Sequence, residues 1–200
     1  MKTKLSCLLV GLCLLTGCWQ KSIHPFYQTA DVQFDAKLLG AWQETPDDPA
    51  RKAKAPVWTF VKNADQSYKL SIVDGDGQRD YIARLFELGG MRLLDLLPPE
   101  RGISTVPAHN LARVVVAKGA IEIALLNTDW VQKWLRNNPT ALTTIAVADP
   151  DAPDNRERDE LVITAETKAV QRFLLRHQHE KELFTDADIL KRVETSEKKN

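Results

Sequence analysis

The sequence predicts a mostly β protein: an antiparallel barrel or strongly curled sheet, packed by helices appended late in the chain. Three observations predict it. Short β-rich runs recur at intervals of roughly ten residues between Val57 and Leu126, with hairpin chemistry between them. From Thr128 onward the apolar residues stop alternating and gather on helical faces. A chain of 200 residues that is 44% hydrophobic is long enough for one real core and has the length of one domain.

The elements follow in order. Asp35 to Gly40 reads as one helical turn ending in glycine, and Ala41 to Glu44 opens a strand. A charged, proline-containing loop runs from Thr45 to Pro56. Val57 to Val61 is β-branched and aromatic, and Asn63 to Gln66 turns the chain. Tyr68, Leu70 and Ile72 alternate with Lys69 and Ser71, the period of a half-buried strand. Asp74-Gly75-Asp76-Gly77 is a hairpin turn, after which Arg79 to Leu88 returns. Gly89-Gly90 makes a second tight turn into Met91 to Leu97, which Pro98-Pro99 closes. Asn110 to Ala117 and Ala120 to Leu126 pair across Lys118-Gly119.

The period then changes. Thr128 caps a helix whose face carries Trp130, Val131, Trp134 and Leu135, and Asn137-Asn138-Pro139 stops it. Residues 143–147 form another short strand. The run from Asp149 to Glu160 is charged, holds two prolines and reads as an exposed loop. Leu161 to Ile163 is the expected last strand. Thr164 and Thr167 open a helix with Val170, Phe173, Leu174 and His177 on its apolar face. Thr185 to Asp188 fits a capping box and predicts a short final helix. Glu194 to Asn200 is polar and frayed.

The first 18 residues carry a different signal. Lys2 and Lys4 precede an apolar run from Leu5 to Leu15. That run is shorter than the roughly 20 residues a spanning helix needs and has the length of an export signal. It ends in Leu15-Thr16-Gly17-Cys18, which is similar to the lipobox of bacterial lipoproteins. The resemblance implies a diacylglyceride, and usually a further palmitate-type acyl chain, on Cys18, with cleavage just before it. The expected organisation is a signal peptide over 1–17, a tether over 18–33, one mostly β domain with C-terminal helices over 34–194, and a polar tail over 195–200. Trp19, not aspartate, follows the cysteine. By the sorting rule of the lipoprotein family this favours the outer membrane, facing the periplasm.

Cysteine count agrees. Of Cys7, Cys13 and Cys18, two leave with the leader and the third carries lipid. No disulfide, thiolate metal site or cysteine nucleophile then remains. The charge balance is even, with 27 basic and 27 acidic residues. It lacks the basic footprint that a nucleic-acid partner or an anionic membrane patch requires.

Gly40-Ala41-Trp42, after a short helical turn and opening the first strand, resembles the G-x-W start of lipocalins. In that family the tryptophan packs across the closed end of an up-and-down barrel, and a late helix packs on the wall. The resemblance implies the same placement for Trp42. The helix at Trp130–Leu135 interrupts the strand series before its end, a departure from the simple lipocalin order. The leader together with the LLGAW opening is also similar to a group of bacterial lipoproteins of unassigned activity.

Few residues invite chemistry. His177 and His179 stand two apart and cannot share a helix face, so one packed and one solvated histidine are expected rather than a metal pair. Asp74 to Gly77 resembles the start of a calcium loop, but position 12 of such a loop would be Leu85, so a plain turn is expected. His109, with Asp95 and Glu100 upstream, offers a histidine–carboxylate pair for general-base work if they share a cleft. No nucleophile elbow, Walker loop or dinucleotide fingerprint accompanies it. No catalytic residue, cofactor or metal is therefore assigned. If the barrel holds a small apolar or amphipathic ligand, the candidate lining is Trp42, Trp58, Tyr68 and, should their faces point inward, Arg84 and Arg113; otherwise each arginine is expected to neutralise a nearby carboxylate or to face solvent. The alternative is an envelope interaction module without a cavity, using the Trp130–Leu135 helix or the 149–160 loop.

Overall fold

The computed structural model describes residues 19–45, 55–99, 108–148 and 159–193. The expected leader, Cys18, Glu100, the polar tail and most of the Thr45–Pro56 and Asp149–Glu160 loops lie outside the described residues.

Among the described residues, eleven strands run in chain order: β1 (Val32–Gln33), β2 (Gly40–Glu44), β3 (Val57–Lys62), β4 (Tyr68–Asp74), β5 (Gly77–Leu88), β6 (Met91–Leu97), β7 (Asn110–Ala117), β8 (Ala120–Leu125), β9 (Thr144–Val147), β10 (Glu160–Ile163) and β11 (Asp188–Arg192). Two helices, α1 (Thr128–Asn137) and α2 (Thr167–His177), lie between β8 and β11. Strands β2 to β8 and β11 form a closed, eight-stranded antiparallel barrel. Closure comes from β11, which pairs with β8 on one side and β2 on the other. The chain is thus mostly β with a barrel and appended helices, as the strand spacing predicts. β1 covers the stretch of β5 that overshoots β4, pairing Val32 with Phe86 and Gln33 with Leu85.

Alternation divides the wall into two burials. Inward go Trp42, Phe60, Leu70, Ile72, Leu85, Leu94 and their neighbours. Outward from β5 to β8 go Phe86, Leu93, Leu111 and Ala124, which pack against Val131, Leu135, Val170, Phe173 and Leu174 of the helices. β6 is buried on both faces: Leu93, Leu94, Asp95 and Leu96 are all 0% exposed. Apart from Asp95 its buried stretch is apolar on both faces rather than alternating, as a doubly covered strand must be.

One end of the barrel is closed. A short 3-10 turn over Ala36–Leu38, capped by the Asp35 carboxylate on the Lys37 N–H at 2.9 Å, lies across it. Trp42 Nε1 donates to the Leu38 carbonyl at 2.8 Å. The Arg192 guanidinium stacks 4.2 Å from the Trp42 ring centre and donates to the carbonyls of Leu39 and Lys37. Gly40 is required here. Its φ is +111°, and a Cβ would stand 2.5 Å from Arg192 Nη1. The expected placement of Trp42 across the closed end is therefore met. The turns at Gly89-Gly90 and Lys118-Gly119 share this end. The β4–β5 turn, the start of β7 and the start of β11 ring the opposite end, the mouth.

Four expectations are corrected. The 18–33 stretch is not a loose tether in its described part: Gln20 is 1% exposed and Ser22 and Phe26 0%. Residues 185–188 do not start a helix. Thr185 instead exchanges bonds with Leu125, its N–H donating to the carbonyl and its hydroxyl accepting from the N–H. Asp188 then begins β11, so Leu161–Ile163 is not the last strand. The open gap between β8 and β2 overrides a local capping signal. Finally, α1 is capped by Asn127, whose side chain accepts from Trp130 N–H, with Thr128 as its first residue.

Candidate functional site

The barrel interior is the space that would hold a ligand. Trp42, Trp58 and Tyr68 point inward, but as part of the core: they are 1%, 7% and 0% exposed. An eight-stranded barrel is just wide enough for side chains to fill. Arg84 and Arg113 do not line the interior, which corrects the expected lining. Alternation sends Arg84 outward between the inward Ala83 and Leu85. There it pairs with Asp65 at 2.9 Å and covers the Tyr27 ring. Arg113 likewise points outward and lies 5.0 Å from the Phe184 ring centre.

Polar chemistry concentrates instead under residues 19–31, a strap that runs between the barrel wall and the helical layer. Trp19 stacks on Tyr81 at the barrel mouth, ring centres 5.4 Å apart. Ser22 exchanges two backbone bonds with His109, at 2.9 and 2.7 Å, and flanking residues bond to Ile163 of β10. His109 Nδ1 lies 2.7 Å from Asp95 Oδ1, and Asp95 Oδ2 accepts from the Phe26 N–H at 2.9 Å. The structure thus brings His109 and Asp95 together. The pair is sealed, however: Asp95 is 0% exposed and His109 8%. The neighbouring Ser22 hydroxyl, also fully buried, donates to the His24 carbonyl. What this arrangement can do is hold the strap rather than reach a substrate.

Two glutamines complete the strap, and sequence reasoning missed both. Gln132 of α1 donates to Gln20 Oε1 at 2.9 Å and to the Leu161 carbonyl at 3.0 Å, while its own oxygen accepts from Leu161 N–H. Gln171 of α2 donates to the Phe26 carbonyl and to Asp31, and accepts from Gln28. Both sit beside the apolar stripe of a helix, at 7% and 6% exposure. An amide at the margin of a buried stripe is the signal that would have found them, since a buried amide needs a partner. Lys21 adds an ion pair to Glu160 at 2.8 Å.

The histidines behave as expected: His177 packs and His179 is exposed. His177 stands among Trp130, Trp134 and Phe173, with ring centres 4.8–5.4 Å away. Its Nε2 is buried without a hydrogen bond. Burial holds its pKa below the usual 6.5; Glu180 opposes the shift and Arg176 adds to it. The folded state therefore disfavours the proton that the unfolded chain takes up at 6.5. This contribution to stability is full above pH 6.5 and is lost as pH falls from there through the lowered value. Urea unfolding at pH 7.5 and pH 5 should show a smaller pH difference for His177→Phe than for the unaltered protein. An equal difference would remove His177 as its source.

At the mouth a groove of about 390 Å³ is lined by Glu44, Thr45, Ala187, Asp188, Ile189 and Lys191. Burial of its carboxyl and the charge of Glu44 raise the pKa of Asp188, though the residue as a whole is exposed. The lining is too polar for an apolar guest. Asp74 to Gly77 is the expected hairpin turn, with Asp74 paired to Arg79. Among the described residues no three His, Cys, Asp or Glu side chains gather to hold a metal ion, and no helix is long and apolar enough to cross a membrane.

Compared with known proteins, the chain matches no protein-family model, no curated protein and no solved structure.

Proposed function

We propose that this chain is a lipid-anchored accessory protein of the bacterial cell envelope. Acyl chains on Cys18 hold it, and it works through its outer surface rather than through a guest carried inside the barrel. The filled interior carries this reading. A lipid-sized ligand needs an enclosed space of roughly 300–1,000 Å³. The buried side chains that would line it, Trp42, Trp58, Phe60, Leu94 and Leu96 among them, are at most 7% exposed and pack on one another. The anchor rests on the leader and on Leu15-Thr16-Gly17-Cys18. Trp19 in the following position favours the outer membrane, facing the periplasm.

Two measurements test the two halves. Metabolic labelling with palmitate should mark the protein, and Cys18→Ser should lose both the label and membrane retention. Processing insensitive to globomycin would overturn the anchor. Native mass spectrometry of residues 18–200 carrying Cys18→Ser should give the bare mass, with tryptophan emission unmoved by fatty acids. A co-purifying lipid-sized mass would overturn the filled-barrel reading and restore a small apolar or amphipathic ligand.

A further inference from the structure

We infer that the barrel is seated directly on the lipid surface, with its mouth toward the bilayer and the Trp42–Arg192 end pointing away. This rests on Cys18 carrying the anchor. Trp19 is held by stacking on Tyr81, Gln20 by the Leu161 carbonyl and by Gln132, and Ser22 by His109. Consecutive Cα atoms are about 3.8 Å apart. A lipidated Cys18 therefore has one peptide link, not a tether, between the bilayer and a fixed residue.

Two independent contacts place that residue at the mouth. Tyr81 lies four residues into the 12-residue β5, near the β4–β5 turn and far from Gly89-Gly90. Ser22 bridges His109, just before β7, which starts at the mouth and runs to the closed end. A strand of 12 residues, at roughly 3.3 Å each and tilted as barrel strands are, separates the two ends by about 30 Å along the axis. The ends are thus far enough apart to be told apart by a probe in the headgroup layer. Trp19 and Tyr81 are side chains with an apolar body and a polar tip, the type enriched at membrane interfaces. The mouth also carries Glu44, Asp188 and the paired Asp74 and Arg79, so the anchor rather than charge attraction holds the contact.

The residues 18–200 contain one thiol, which makes the test independent of acylation in the cell. Residues 18–200 with glycine-selective nitrogen-15 labelling are coupled through Cys18 to a maleimide lipid in phosphatidylcholine nanodiscs. Some of the lipids carry headgroup-chelated gadolinium. The amide signals of Gly75 and Gly77, at the mouth, should broaden severalfold more than those of Gly40, Gly89, Gly90 and Gly119 at the closed end. A twelve-residue Gly-Ser insertion between Cys18 and Trp19 should abolish the difference. Equal broadening at both ends in the unaltered chain, or stronger broadening at the closed end, overturns the inference. Because coupling supplies the lipid, neither result depends on whether palmitate labelling succeeds.

Discussion

Replacing Asp95 with alanine is expected to destabilise the protein by about 3 kcal/mol or more, since each buried partner left unsatisfied costs roughly 1–3 kcal/mol. Asp95 is wholly buried and holds two groups, His109 Nδ1 and the Phe26 N–H. Alanine would leave both without a partner between the wall and the strap. In a chain of this size each kcal/mol moves the melting temperature by roughly 2–4 °C, so a fall of about 6–12 °C is expected. Asp95→Asn keeps one oxygen for the Phe26 N–H and should lose less. Limited proteolysis adds a local readout: the alanine variant should be cut within residues 19–31 before the barrel strands are attacked. A melting temperature within 2 °C of the unaltered protein would show that the strap is held without Asp95.

Trp42→Ala has a comparable expected effect by a different route. Removing a buried large aromatic side chain typically costs about 3–5 kcal/mol in lost transfer energy and residual cavity. Here the Nε1 bond to the Leu38 carbonyl and the stacked Arg192 go with it. The fall in melting temperature should be roughly 6–20 °C. Trp42→Phe keeps a ring under Arg192 and should recover most of the loss, leaving a deficit of about 1 kcal/mol for the missing hydrogen bond. Calorimetry of the two variants separates packing from hydrogen bonding. Equal losses in both would assign the effect to the indole N–H.

The barrel strands were legible because each carries its own pattern. Tyr68, Leu70 and Ile72 alternate, and the turns at Asp74–Gly77, Gly89-Gly90 and Lys118-Gly119 separate one strand from the next. Gly40-Ala41-Trp42 showed which end is closed. β11 was not legible. Its five residues contain one buried side chain, Leu190, and Thr185–Asp188 before it imitates a helix cap. Only the unfilled gap between β8 and β2 makes it a strand, and that gap exists only in three dimensions. The strap was hidden for the same reason. Residues 19–31 have no period of their own, since their partners are the backbone of His109 just before β7, backbone groups of β10 and side chains of the two helices. The sequence offered His109 and Asp95 as a pair, but not that Phe26 would seal them. Arg84 and Arg113 line the interior only if their faces are inward, and alternation gives the relative faces of neighbours, not which face is inner; the pairing of Arg84 with the Asp65 carboxylate is the outward outcome.

The late position of β11 has a consequence for how the molecule is made. The ring lacks its eighth stave until residues 188–192 are available, and Arg192 must reach back across 150 residues (192 − 42) to cover Trp42. A chain emerging from its amino terminus can form hairpins but not the finished cylinder, because contacts between such distant residues form slowly and only once both exist. The nascent protein therefore stays open until residues 188–192 have been made. Removing those five residues would prevent closure altogether.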